Sequence, residues 1–98
     1  MEIWAVKAGH EAELDAPDPR KGDLLRFMRS RRPFAYAEGF VTDCVTRKSA
    51  SRCIECVYEA GDLRWCESDV YNLEHHDLRL NPEFRRRALA VIDGNARG

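Results

Sequence analysis

Residues 39–74 form a train of short, half-apolar runs that are separated by turn residues. Glycine and small polar residues recur between the runs, where they favour tight turns. This pattern is typical of a small, strongly bent antiparallel sheet. Small sheets of this kind more often bind a partner than catalyse a reaction, because their function depends on whatever site is added to the fold.

The periodicity predicts six short strands along the chain. They occupy residues 1–7, 24–28, 39–46, 52–59, 62–66 and 72–74. The remaining segments are predicted to be an irregular arm over residues 8–20, a long basic and aromatic loop over 30–38, a polar turn over 47–51 and one helical turn over 67–71.

The clearest local prediction is a hairpin around Ala60 and Gly61, since glycine accepts a positive φ without a Cβ clash. If these two residues form the turn, Tyr58 lies opposite Leu63. Residues on one face of the hairpin alternate with a period of two. The predicted core face therefore consists of Ile54, Cys56, Tyr58, Leu63 and Trp65.

The segment 81–94 predicts an amphipathic helix. Asn81 is a good N-cap, Pro82 suits the first helical position, and Gly94 is suited to the C-terminal end. One apolar stripe is spaced at i, i+4, i+7 and i+8, and it consists of Phe84, Ala88, Val91 and Ile92. A helix this short is marginal alone in water, so we expect it to pack on the rest of the domain.

Five short motifs lie at residues 21–25, 39–41, 56–61, 63–65 and 73–74. They resemble those of the SH3-like, Tudor-type small barrels that occur in phages and other mobile elements, and the resemblance covers about residues 21–74. It implies a mainly β fold, an SH3-like antiparallel barrel of about five strands with one C-terminal α-helix. The implied organisation is an arm over 1–20, a barrel over 21–76 and a helix over 81–94 packed on the barrel.

The 98-residue chain is long enough for one domain, and no apolar run approaches the length of a membrane span. The first residues lack the pattern of a secretory signal, so we expect a cytoplasmic protein. The net charge of −1 hides a polarity along the chain. Residues 1–19 carry five acids and one base, whereas residues 20–32 carry six bases and one acid. The basic block is either a solvated surface or a binding patch.

Cysteine and histidine residues offer two candidate chemical sites. Zinc could be held by a set comprising Cys44, Cys53, Cys56 and Cys66. A strand conformation would instead separate the 53/56 pair, and the thiols would act as small buried hydrophobes. The pair His75–His76 is either a metal or acid–base site or a polar link. No catalytic pattern of spacing is evident, so an enzyme, a metal and a cofactor are not expected.

Together these features predict a non-enzymatic binding module for a protein partner. Its candidate surface consists of Arg29, Arg31, Arg32, Phe34, Tyr36, Tyr58 and Tyr71. The alternative is nucleic-acid binding through residues 29–32 together with residues 85–87, because arginines beside aromatic rings can contact phosphates and stack on bases. A homodimer, and a small-molecule role at an oligomer interface, stay open. A membrane partner is not expected.

Overall fold

A computed structural model describes residues 1–7 and 12–96 as four strands and three helices. In chain order these elements are β1 (Ile3–Trp4), α1 (Lys21–Arg29), β2 (Pro33–Thr42), β3 (Ser49–Ala60), β4 (Leu63–Cys66), α2 (Glu67–His76) and α3 (Pro82–Ala96). The strands form one sheet in the order β1-β4-β3-β2, with β1 parallel to β4 and the other pairs antiparallel.

The predicted fold class is wrong. The sheet is open rather than closed into a barrel, and three helices accompany it, so the fold is α+β. The barrel prediction failed because it assigned the apolar residues of 24–28 and 72–74 to strands, whereas both segments belong to helices.

Helix α1 replaces the predicted first strand for a reason visible in its spacing. Leu24, Phe27 and Met28 are all buried, and their spacing of i, i+3 and i+4 places them on one helical face. Asp23 lies in the first turn and Arg29 in the last, where each charge complements the helix dipole. An apolar run of five residues fits a strand as well as one face of a helix, so its length alone misled the prediction.

Strand β2 occupies most of the segment that was predicted to be a loop. Aromatic side chains at Phe34 and Tyr36 alternate with alanines there, a composition that favours extended backbone. Helix α2 likewise runs past the predicted single turn to His76, and it buries Val70 and Leu73. The predicted closing strand at 72–74 is therefore helical.

The predicted hairpin forms, but its register differs by two residues. Ala60 lies opposite Leu63, which leaves Gly61 and Asp62 as the turn, and Tyr58 lies opposite Trp65. Gly61 has φ of +59°, as expected of a glycine in a two-residue turn. A shift of two keeps every side chain on its predicted face.

Trp65 is the centre of the core and is completely buried. Its ring centroid lies 5.4 Å from that of Phe27, 5.8 Å from that of Tyr58 and 5.8 Å from that of Phe84. Its indole N–H donates to the carbonyl of Met28 at 3.2 Å. Each of the three rings comes from a different element, so Trp65 joins the helices α1 and α3 to strands β3 and β4 of the sheet.

The predicted core is right for Cys56, Leu63 and Trp65, which are buried, and Tyr58 packs partly buried against the same cluster. It is wrong for Ile54, whose side chain is 57% exposed. At that point β3 has passed beyond β4 and pairs only with β2.

Helix α3 confirms the predicted amphipathic helix, although Val91 of the predicted apolar stripe is exposed. The Asn81 side chain accepts the Glu83 N–H at 3.2 Å, and Phe84 and Ala88 are completely buried. The helix continues past Gly94, so the predicted end is two residues early. Residues 12–15 pack beside the segment between α2 and α3 through a bridge that pairs Leu14 with Leu78.

Candidate functional site

Exposed apolar side chains concentrate on the ribbon, by which we mean β2 together with residues 49–58 of β3 and the loop that joins them. Of the eight large, exposed hydrophobic side chains in the described part of the chain, five lie there. These are Phe34, Tyr36, Phe40, Val45 and Ile54. Single exposed hydrophobic residues are ordinary, whereas a group of them on one element marks an interaction site.

These side chains lie outside the buried core cluster. Phe40 lies directly opposite Ile54, and both are about half exposed, so they form a cross-strand apolar pair in solvent. Tyr36 is 73% exposed on the outermost strand of the sheet. An exposed edge strand can pair with another chain unless its geometry discourages pairing.

The β2 edge is irregular. The β2–β3 register shifts between Pro33 and Ala35 and again between Tyr36 and Phe40, and Gly39 has φ of +96° within the second shift. Bulges of this kind twist an edge and interrupt the row of backbone groups that a new strand would need. Recognition at this edge therefore depends more on side chains than on a continuous backbone ladder.

Two arginines stand at the start of β2. The Arg31 guanidinium lies 5.7 Å from the Phe27 ring centroid, and both Arg31 and Arg32 are exposed. The Arg64 guanidinium lies over the Phe34 ring, 5.9 Å from the ring centroid. Four predicted site residues, at positions 31, 32, 34 and 36, are thus neighbours on one exposed stretch of chain.

The other three predicted site residues are engaged in contacts within the chain. Arg29 forms an ion pair with Glu74 on α2. The Tyr58 hydroxyl donates to Glu67 at 2.8 Å while its ring stacks on Trp65, and burial raises the pKa of this tyrosine. The Tyr71 hydroxyl donates to a buried carboxylate, described below. These three side chains do not join the exposed stretch.

The second predicted basic patch, at residues 85–87, is neutralised within the chain. Arg85 contacts both carboxylate oxygens of Asp18, at 2.6 and 2.9 Å. Arg86 and Arg87 both donate to Glu83 on the same helix. These pairings lower the positive potential that a phosphate backbone would meet at α3.

The loop of the ribbon is tied to α2 by Asp43, which the sequence analysis did not identify. One of its oxygens accepts the N–H groups of Val45 and Thr46, at 2.8 and 3.0 Å. The other contacts the Tyr71 hydroxyl at 3.0 Å and His76 Nε2 at 2.7 Å. His76 and these donors hold the pKa of Asp43 well below its usual range. The signal available in the sequence was an Asp directly after a strand, a position that favours an Asx turn.

The two histidines of the pair have different carboxylate partners. His76 contacts Asp43, whereas His75 contacts Glu74 at 3.2 Å. A carboxylate that fixes one imidazole nitrogen is a feature of acid–base sites, where it orients the ring. Here the same carboxylate also holds two loop amides and a tyrosine, so the network serves first to anchor the loop of the ribbon.

A cavity of about 280 Å³ lies between this loop and α2. Its lining includes Asp69 and Glu55. Asp69 accepts the Cys66 N–H at 2.8 Å, and Glu55 accepts the Ser68 N–H at 3.1 Å. Burial, with the nearby charge of Glu55, raises the pKa of Asp69 to about 7. The carboxyl of Asp69 therefore titrates near neutral pH. Nothing in the sequence pattern indicated this.

All four cysteines are free thiols, and Cys56 is buried. Burial raises the pKa of the thiols of Cys44 and Cys56, and that of Cys66 to about 12. Across residues 1–7 and 12–96, no three His, Cys, Asp or Glu side chains are grouped so that they could hold a metal ion. The four cysteines considered as a zinc set are therefore not grouped as ligands among these residues, and the raised thiol pKa values fit the character of small hydrophobes.

Within the same ranges, none of the helices has the length and apolar character required to cross a bilayer. Comparisons of the chain with protein-family models, with curated proteins and with solved structures each give no match. The function is therefore inferred from the geometry of the ribbon.

Proposed function

We propose that this protein is a non-enzymatic binding module and that it recognises a protein partner through the ribbon patch, which consists of Phe34, Tyr36, Phe40 and Ile54. The observation that carries the proposal is the concentration of exposed apolar side chains on this one element. Interfaces are enriched in Phe, Tyr and Arg relative to the rest of the surface, and this stretch carries all three.

The position of the patch supports this function. The ribbon extends beyond β4, while the core cluster lies among the helices and β4, so the patch contributes little to the core. Aromatic side chains bury a large area at a small cost in conformational entropy, which makes them effective anchors. A partner that covers Tyr36 would gain this area without disturbing the fold.

Site-specific photo-crosslinking tests the proposal. A benzoylphenylalanine introduced at Tyr36 should give a discrete crosslinked protein in cells, whereas the same group at Arg86 on α3 should not. The adduct should weaken when Phe40→Ser and Ile54→Ser are combined with it. Equal adducts from both positions, or none from position 36, would count against a partner at the ribbon.

Nucleic-acid binding is the second candidate, and one observation favours it. Arg31 and Arg32 are exposed immediately before two exposed aromatic rings, an arrangement that can contact phosphates and stack on bases. It predicts an affinity that falls steeply with salt, because phosphate contacts release counterions. The absence of a gel shift at about 50 mM salt and micromolar protein would remove this candidate.

A further inference from the structure

We propose that the occupant of the ribbon patch is an extended, acidic segment of a different protein, with its carboxylates against Arg31 and Arg32 and an apolar side chain against Tyr36. This inference rests on the proposed protein-binding function and adds the chemistry of the partner.

Arg31 and Arg32 carry positive charge that the described part of the chain does not neutralise. Most of the other arginines in the described ranges form an ion pair with a carboxylate of the same chain. These are Arg20, Arg26, Arg29, Arg64, Arg79, Arg85, Arg86 and Arg87. No such pair joins Arg31 or Arg32 to a described carboxylate, and both are exposed. Their charge is therefore available to a partner.

Side chains at the start of β2 are already ordered by contacts within the chain. The Arg31 guanidinium lies over the Phe27 ring, and the Phe34 ring lies beneath the guanidinium of Arg64. Arg64 is itself held by Glu59 at 3.2 Å. Side chains that are already ordered lose less conformational entropy when a partner binds, so these contacts favour recognition at this point.

The sign of the charge changes along β2. The two arginines precede the strand, whereas Glu38 lies within it, about six residues or roughly 20 Å further on in an extended chain. A bound segment with carboxylates at the arginine end avoids Glu38 if its apolar side chain follows toward Phe40. The surface thus selects one orientation of an acidic segment.

The acidic segment of this chain, residues 12–18, is a poor occupant of the ribbon patch, which argues against binding of a second copy of the chain. Its described carboxylates are already used within the chain: Glu13 and Asp15 contact Arg79, and Asp18 contacts Arg85. A second copy would have to break these pairs before it could supply carboxylates to the ribbon.

A peptide library provides the test. Random peptides of about twelve residues, long enough to follow β2, are displayed on phage and selected on the purified protein. Enriched sequences are then synthesised, and their affinities are measured by fluorescence anisotropy. We expect Asp and Glu beside one aromatic or aliphatic residue. The Arg31→Gln/Arg32→Gln variant should bind these peptides about tenfold more weakly, because it removes two charge-assisted contacts.

Matched variants separate the possible outcomes. Arg86→Gln/Arg87→Gln removes the same charge from α3 and should leave the affinity unchanged. Enrichment that depends on Phe34 and Tyr36 but shows no acidic preference would overturn this inference and leave the proposed function standing. Peptides indifferent to Phe34→Ser/Tyr36→Ser would overturn both.

Two further outcomes would also overturn the acidic-peptide assignment. One is binding of an oligothymidylate more tightly than any selected peptide, with the same dependence on Arg31 and Arg32, which would assign the surface to nucleic acid. The other is a dimer in light scattering that the Phe34→Ser/Tyr36→Ser variant dissociates, which would assign the surface to a second copy.

Discussion

The two ends of β3 show how this chain separates stability from recognition. At its C-terminal end, Tyr58 lies opposite Trp65 and packs against the core. At its N-terminal end, Ile54 lies opposite Phe40, and both are exposed. One continuous strand thus has apolar residues that hold the fold together and others that the fold does not use. We call the first region, centred on Trp65, the body.

The largest expected effect lies in the body. Replacing Trp65 by Ala removes ring contacts to three aromatic residues and should cost about 3–5 kcal/mol in the free energy of unfolding, a large part of the total for a chain this size. Trp65→Phe keeps a ring but loses the hydrogen bond to Met28, and should cost about 1–2 kcal/mol. Urea denaturation measures both.

The matched variant in the ribbon is Tyr36→Ala. Because that side chain is 73% exposed, its removal should change the free energy of unfolding by no more than about 0.5 kcal/mol. If Tyr36→Ala destabilised the protein as strongly as Trp65→Phe, the ribbon would be part of the core and the comparison would fail.

The sequence predicted those parts of the fold in which local signals and packing agree. Asn81 and Pro82 begin α3, and its apolar spacing has only one structural interpretation. The hairpin at Gly61 has an equally strong turn signal, although the register is off by two residues. Both elements contribute directly to the packing around Trp65.

The prediction failed where a local sequence pattern fits more than one structure and tertiary packing selects between them. The run that begins at Leu24 fits a strand or a helix, and it became a helix because three of its residues pack on the core. The exposure of Ile54 could not be predicted, because it depends on where β4 ends and leaves β3 uncovered. Four predicted site residues lie within the six positions 31–36, whereas the predicted placement of Tyr58 and Tyr71 on the same surface depended on the barrel.

The joint between the two regions should give the next largest effect. The Asn72 side chain, buried on α2, accepts the Cys44 N–H at 2.9 Å and donates to the Thr42 carbonyl at 3.1 Å. Asn72→Ala leaves both backbone groups without this partner and should cost about 2–3 kcal/mol. Hydrogen exchange should accelerate at Cys44 more than in α3.

A control for the joint is Glu38→Ala, which changes an exposed ribbon residue and should leave exchange at Cys44 unaltered. If Asn72→Ala changed global stability but left the protection of Cys44 equal to that of α3, the ribbon would open only with the whole fold. The joint would then not be a separate unit.

A smaller effect concerns Asp69, where the pKa predicts the sign of a pH dependence. Its native pKa is about 7, above the ordinary value of 3.8, so between these values the native state keeps a proton that the unfolded state has lost. This carboxyl therefore makes the protein less stable as pH rises from about 4 to 7. Asp43 has the opposite sign, because its lowered pKa adds stability that is lost only in acid.

Asp69→Asn removes the charge and keeps an oxygen for the Cys66 N–H, so it should stabilise the protein at pH 8 by about 1–2 kcal/mol and have little effect at pH 4. Urea unfolding at both pH values measures the difference, and Asp62→Asn serves as an exposed control. An Asp69→Asn variant that is destabilised at pH 8 would show that the native state favours the charged carboxylate, and the raised pKa of Asp69 would then be wrong.

A small effect on stability, comparable with that of Tyr36→Ala, should come from the apolar pair at the far end of the ribbon. Phe40→Ser combined with Ile54→Ser removes one exposed cross-strand contact, which stabilises a sheet by only about 0.2–1 kcal/mol. The same double variant should markedly reduce binding of an apolar fluorescent dye, because it deletes half of the ribbon patch. A matched change in the body, Leu73→Ser, should unfold much of the protein, since that side chain is almost completely buried. If the ribbon pair proved as costly as Leu73, its side chains would be required for folding, and their exposure would no longer argue for a partner.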